Sequence, residues 1–371
     1  MEINSQLTQK EKVVVTGIGM VTSVGHDSIM APASIRAGIS SFREITDFVT
    51  NTGARAVGSF VDGVTDERSG SDRLLSMAIP AAQEALYMAE EFYEDLDLAA
   101  GCLFLSMCPP ERPTYEDFDK EDVRDFLELT QTKGIESIEI IKEGNSGGIM
   151  ALSKAMIHLS QKKAKVCIVG GIDSLVEYPS LAWLEEKGRL RTDDRPRGFI
   201  PGEAAAFMVL ELESTAIKRG VPLLCEICSL GYVVEDVNIF SDKPFIGVGL
   251  AESINNSLTR KQMEIEKING IICDLNGEYY RFKEWGLTQT RIFKNSSSLP
   301  ELWHPAECFG DVGSASAIVH SVIAIAGINR EYFNGPNLLI WTSSDTGGRG
   351  SVLLTASNKA KDLGKNGTRI Y

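Results

Sequence analysis

Covalent acyl or peptidyl chemistry needs a thiol or hydroxyl within reach of a base, and this 371-residue chain holds few groups that qualify. Its four histidines are His26, His158, His304 and His320, and its seven cysteines are Cys102, Cys108, Cys167, Cys225, Cys228, Cys273 and Cys308. His158 lies in IMALSKAMIHLSQ and His320 in AIVHSVIAI, so both are expected as packed helix residues with satisfied ring nitrogens. His26 follows the first loop and is expected at the surface. Imidazole and thiol come close in WHPAECFGD, where His304 and Cys308 could form a nucleophile and base. No third, orienting group is identifiable there, and Pro305 marks a loop, so an exposed imidazole is the expectation. Ser146 stands where GNSGG runs into a helical pattern. Without a base nearby, its hydroxyl or the Asn145 side chain is expected to cap that helix. Cys225 and Cys228 form a CxxC with no second pair or histidine beside it, in a run that reads as a strand. Packing is therefore expected of them, and neither a metal site nor a cofactor is expected.

The elements that must carry these residues form two series. Residues 12–18, 102–107, 165–170 and 205–211 read as apolar strands, with helical patterns up to about Ile35 and at 72–89 and 148–162. A second set of strands at 225–230, 269–275, 338–343 and 350–355 carries helical patterns at 246–258 and 314–328 in the same order. VCIVGGIDS leads through a glycine turn to AAFMVLE, and LLIWTSSDTGGRG leads to SVLLTAS, so each half is expected to end in an antiparallel pair. Continuous apolar strands imply helices on both faces of a sheet. The fold class is therefore α/β, with two similar halves and sheets layered between helices. TGIGMVTSVG is not a phosphate-binding loop, which argues against a nucleotide site.

With 43% hydrophobic and 24% charged residues the chain has the composition of a folded globular protein. Its N-terminal residues lack an apolar signal region and no apolar run reaches membrane-spanning length, so a cytoplasmic location is expected. A formal net charge of −14 leaves no broad basic surface for nucleic acid. Acidic residues gather at 90–98 and 115–129, where the apolar spacing suggests solvated faces of amphipathic helices.

VVVTGIGMVTSVG, GNSGGIMALSKAMIHLSQKKAKVCIVGGIDSL at 144–175 and RPRGFIPGEAAAFMVLE at 195–211 resemble, in order and spacing, segments of the β-ketoacyl-acyl-carrier-protein synthase family. Gly198, Phe199, Gly202 and Glu203 stand in the places of that family's glycine-phenylalanine and glycine-glutamate turn. The likeness is strongest over 11–215. Across 216–371 it rests on GIICDLNGE, FGDVGSASAIVHSVIAI and DTGGRGSVLLT, and residues 109–143 read as divergent. The resemblance implies a thiolase-like fold of two duplicated halves, 11–215 and 216–371, in an α-β-α-β-α layering. It also implies decarboxylating Claisen condensation by a cysteine at a helix N-terminus, assisted by two histidines. Here the family's cysteine position holds Asn145, its first histidine position Asn276, and its second Asp311, or Gly310 if aligned without a gap. An amide is not a nucleophile, and a carboxylate beside an enolate repels it. By the same resemblance Phe199, Gly347 and Gly348 are expected at the substrate.

Two functions are weighed on these residues. The first is a synthase-like protein of fatty acid or polyketide type metabolism that cannot condense and acts as an acyl- or carrier-binding or dimer-partner subunit. The second is an acyltransferase or malonyl decarboxylase that uses Asn276 as a residual oxyanion donor, with Ser146, Cys308 or no covalent step. Whether the chain is an enzyme is left open. Lys187, Arg189, Arg191, Arg195 and Arg197 form a candidate docking patch for an acidic acyl carrier, offset by Asp193 and Asp194. The family is dimeric, so the apolar strand at 165–170 is expected to pair across a two-fold axis with a second copy or an active synthase.

Overall fold

The computed structural model describes residues 11–357 apart from 91–97, 99–100, 116–117, 133, 136 and 297. Strand β1 (Val13–Thr22) is buried along its whole length, as its β-branched residues require of a strand covered on both faces. It is followed by α1 (Met30–Arg36), the hairpin β2 (Phe42–Glu44) and β3 (Val57–Ser59), α2 (Gly70–Glu90) and β4 (Gly101–Ser106). Next come α3 (Lys120–Leu129), β5 (Ser137–Ile141), α4 (Gly147–Ser160), β6 (Val166–Ser174), α5 (Tyr178–Glu186) and β7 (Glu203–Leu212). Helix α6 (Glu213–Arg219) leads to β8 (Cys225–Val234), α7 (Gly249–Lys261), β9 (Gly270–Cys273), α8 (Tyr279–Ile292) and β10 (Glu301–Trp303). The described chain ends with α9 (Ala306–Phe309), α10 (Ser316–Asn329), β11 (Asn337–Ser343) and β12 (Gly348–Thr355).

Ten strands form one sheet in the order β10-β9-β11-β12-β8-β1-β7-β6-β4-β5. Counted outward from the middle, β1-β7-β6-β4-β5 and β8-β12-β11-β9-β10 repeat the same plan, joined where Val13–Val15 meets Cys225–Ile227 antiparallel. The expected closing pairs are present, β6 with β7 and β11 with β12, both antiparallel. Helices α4 and α10 lie between the half-sheets in one shared core, with α10 buried all round from Ser316 to Gly327. Helices α2 and α3 cover the outer face of the first half, and α7 and α8 that of the second. The α-β-α-β-α layering is thus observed.

The segment 109–143, read as divergent, supplies α3 and β5, the counterparts of α8 and β10. One expectation changes. The strand expected to pair across a two-fold axis, 165–170, belongs to β6, which is hydrogen-bonded to β4 on one side and β7 on the other. It has no free edge, and the edge of that half is β5. Of the two acidic stretches, 115–129 contains α3, started by an Asp119–Asp122 capping box, with Phe126 turned into the core. The stretch at 90–98 falls mainly on residues 91–97, outside the described residues. Among the described residues no helix is long and apolar enough to cross a membrane.

Candidate functional site

The pseudo-symmetric helices α4 and α10 each begin with a 3-10 turn, Gly144–Ser146 and Gly313–Ala315, entered by a glycine at φ +64° and +51°. A side chain at either glycine would be strained, so these turns depend on the residue type. They aim two side chains at one spot: Asn145 from the first turn, and Asp311, two residues before the second. The Asn145 Nδ2 donates to Asp311 Oδ1 at 3.2 Å and lies 3.4 Å from Ser316 Oγ. From the loop after β9, Asn276 Nδ2 donates to Asp311 Oδ2 at 2.7 Å. The Gly313 N–H adds a third bond to Asp311 Oδ1 at 2.8 Å. The three positions read from the sequence therefore converge on one carboxylate. Asn145 and Asp311 are 7% and 6% exposed, so their contact is shielded from water, while Asn276 is half-buried.

A second shell of charge surrounds it. Asn276 also donates to Glu278, whose carboxylate takes a bidentate pair from Arg189 at 2.8 and 2.7 Å. Arg189 further bonds Asp345 at 2.6 Å, and Arg281 reaches the same Asp345 at 3.1 Å and the Ser343 carbonyl. On the other flank Arg112 pairs with Asp173, whose second oxygen accepts the Ser314 N–H at 2.7 Å. Deeper in the second half, Arg349 pairs with Glu284 at 2.5 Å, both fully buried. Burial works against the charge on Asp345, but Arg189 and Arg281 hold its carboxyl down at about 2. Asp274 is the opposite case: burial, helped by Asp311 and Glu284, lifts it to about 7 against the pull of Arg281 and the Ser343 N–H.

The remaining sequence candidates lie elsewhere or act differently. Cys308 is buried with its thiol towards the Ile35 carbonyl, and burial pushes it up to about 11. His304 instead pairs with Glu307 at 3.3 Å, so the two do not form a couple. Ser146 is at the N-cap of α4 but makes no cap bond; its hydroxyl is shared with Ser344 Oγ at 2.7 Å. The preceding 3-10 turn gives it helical dihedrals, whereas a capping side chain needs an extended residue. His158 bonds the Lys154 carbonyl through Nδ1, as a packed helix histidine should. His320 departs from expectation, because its Nδ1 has no partner among the described residues and burial lowers it to about 3, leaving it neutral. His26 is exposed.

Phe199 lines the cavity beside Asn145 and is covered by Arg189, 5.2 Å above its ring. Gly347 and Gly348 do not line it; Asp345 and Thr346 do. At Gly348 a Cβ would come within 2.5 Å of the Ser146 and Tyr232 hydroxyls, so glycine is there for close packing. The cavity is about 30 Å³, room for about two waters. Arg189 is not part of a surface patch, being 7% exposed and spent on two carboxylates, and Arg195 pairs with Glu185. Of the five, Lys187, Arg191 and Arg197 are exposed, and Lys187 lies 3.5 Å from Glu186. Among the described residues no cluster of His, Cys, Asp or Glu is arranged to hold a metal.

Arg112, Asp173, Glu278, Arg281, Glu284, Asp345 and Arg349 were missed by the sequence reading. The signal was a lone charge inside an apolar run, as in VCIVGGIDS and GGRGSVLLT, which must be paired if the run is buried.

No family model matches the chain. It is 22% identical over 275 residues to 3-oxoacyl-[acyl-carrier-protein] synthase 2 of Staphylococcus aureus strain N315, and 23% identical to that of strain COL. These matches take in 64% of this chain, and the chain spans 66% of the length of those curated relatives. Among solved structures it is similar to a type II polyketide synthase acyl-carrier protein in complex with its ketosynthase bound to the hexaketide, with TM-score 0.80, 18% identity and coverage of 94% and 100%. It is also similar to the ishigamide ketosynthase/chain length factor, with TM-score 0.77, 17% identity and the same coverage. A third is a ketosynthase in complex with its chain length factor from Xenorhabdus doucetiae, with TM-score 0.75, 13% identity and coverage of 95% and 99%.

The Asp274 carboxyl gives the site a pH signature. Its folded value of about 7 lies above the unfolded value of about 3.9, so its stabilisation is present at acid pH and lost as pH rises through 7. Urea unfolding should therefore give about 1 kcal/mol more stability at about pH 6 than at about pH 8. In Asp274→Asn that slope should vanish, and an unchanged slope would assign the proton to another group.

Proposed function

We propose that this chain, a member of the β-ketoacyl synthase family with a thiolase-like fold, is a non-condensing partner subunit in fatty acid or polyketide assembly. One observation carries the reading: the Asp311 carboxylate takes up the amide donors of both Asn145 and Asn276, beside a cavity of about 30 Å³ that Asn145 and Asp311 line. Condensation needs a thiolate for the acyl chain and free donors for the enolate. Here the side chains bonded to Asn145 are Asp311 and Ser316, neither sulfur nor imidazole. The same bonds disfavour a malonyl decarboxylase or acyltransferase, because an enolate oxygen would have to displace a carboxylate from Asn276 and then sit beside it.

The partner is a second copy of the chain or an active synthase, met through the edge of the sheet. Beside β5 runs a groove of about 800 Å³ between that strand and α3, with Val123, Leu127, Ile138 and Ile140 in its wall. An unpaired edge flanked by apolar side chains is a template for another strand. Ketosynthases of similar fold occur with a chain length factor or an acyl carrier protein. For a carrier the docking cations are reduced to Lys187, Arg191 and Arg197, and the halves 11–215 and 216–371 act as one body in the cytoplasm.

Incubated with acyl- and malonyl-carrier substrates, the protein should show no covalent adduct by intact mass and form no condensation product. An acylated protein followed by product would overturn the reading. The interface has its own check. Light scattering should find a dimer of the chain, or a complex with a co-expressed synthase, which Ile140→Lys weakens at least tenfold. An unaffected assembly would remove β5 from the interface.

A further inference from the structure

Apart from the Asn145 site the first half carries a second cleft, of about 660 Å³, and the two share no lining residue. That volume suits a small molecule. Ile45 and Phe48 after β2, Phe60 after β3 and Leu181 on α5 give it an apolar, aromatic lining. Tyr178, the first residue of α5, meets the Phe48 ring edge to face with centroids 5.8 Å apart, yet is 60% exposed. Tyr115 lines the same cleft and is 55% exposed.

The walls are fixed without a ligand. Glu177 accepts the Gly70 N–H at 2.8 Å, which ties the start of α5 to the start of α2. One turn into α2, Arg73 makes two bonds to the buried Glu203, at 2.6 and 2.7 Å. The hairpin of β2 and β3 is held by the Ile45 N–H on the Ala56 carbonyl and the Ser59 N–H on the Pro201 carbonyl. A cleft braced in this way gives up little freedom when it binds.

Most charges around the cleft are already neutralised. Arg43 pairs with Asp62 and lies over the Phe60 ring, Glu44 pairs with Arg55, and Arg73 pairs with Glu203. Glu177 is engaged by Gly70, and burial raises its carboxyl. Among the described residues lining the cleft this leaves Arg68 and Asp47, both exposed and neither in an ion pair. Arg68 follows Glu67, whose φ of +58° is a conformation that non-glycine residues adopt only at a cost. One free cation and one free carboxylate in an aromatic cleft match a ligand that carries a carboxylate, an ammonium and a flat apolar body. Its carboxylate would take the Arg68 guanidinium, its ammonium Asp47 and the tyrosine faces, and its ring the Phe48 and Tyr178 side chains. A simple anion or a simple cation would satisfy only one of the two charges.

We propose that this cleft binds a small aromatic zwitterion of the amino-acid class, with Arg68 and Asp47 recognising its two charges. Isothermal titration of the full chain with L-phenylalanine, phenethylamine and hydrocinnamate separates the contributions, since each analogue lacks one charge. L-phenylalanine should bind, and each analogue about tenfold more weakly. Arg68→Ala should weaken L-phenylalanine about tenfold and leave phenethylamine unchanged, whereas Asp47→Asn should weaken L-phenylalanine equally and leave hydrocinnamate unchanged. Both side chains are exposed, so neither substitution threatens the fold. Absence of binding by both L-phenylalanine and L-tryptophan would overturn the site. So would L-phenylalanine binding that is no tighter than that of the analogues, or that ignores both substitutions. A wild-type protein that condenses would overturn the proposed function and leave these affinities as they are.

Discussion

A buried carboxylate must be fully partnered or lose its charge, and Asp311 meets that demand with two side-chain amides and a backbone N–H. The three groups come from three separate segments, the turn before α4, the loop after β9 and the turn before α10. Exchanging either amide for an apolar residue takes a donor from a carboxylate that is 6% exposed. The polar groups of the site are therefore spent on one another, which is the support for the proposed non-condensing reading.

The charges around Asp311 extend this pairing across the molecule. Arg189 belongs to the first half and its carboxylates Glu278 and Asp345 to the second, and Asp173 of the first half accepts from Ser314 of the second. Such pairs contribute little net stability compared with an apolar replacement of equal shape. Losing one partner is what is costly, about 3–5 kcal/mol, because the other remains as an uncompensated buried charge. The network is thus better understood as fixing how the halves meet than as adding stability. Most of these paired side chains line the cavity at its centre, whose volume is that of about two waters.

Much of the framework was legible because it follows from continuous patterns. The apolar runs of β1, β6, β7, β11 and β12 could only be buried strands, and the matching order of the two series gave the duplication. Asn145, Asn276 and Asp311 were singled out by position, and the structure brings them into hydrogen-bond contact. What escaped was whatever depends on neighbours distant in sequence. β5 and β10 are short, and nothing local marks β5 rather than β6 as the outer strand. Arg189 looks like its exposed neighbours Arg191 and Arg197 until Glu278 and Asp345 are brought to it. Ser146 looks like a cap until the preceding turn removes the extended geometry a cap needs.

The claim on which the account depends is that Asp311 is bound to the amides strongly enough to exclude other uses of the site. A double-mutant cycle with Asn276→Ala and Asp311→Ala, read by urea unfolding, isolates that bond from the separate cost of each truncation. A hydrogen bond to a buried carboxylate predicts a coupling of about 1.5–3 kcal/mol. A coupling indistinguishable from zero would mean that the amide is free, and with it an oxyanion donor that the account says is spent.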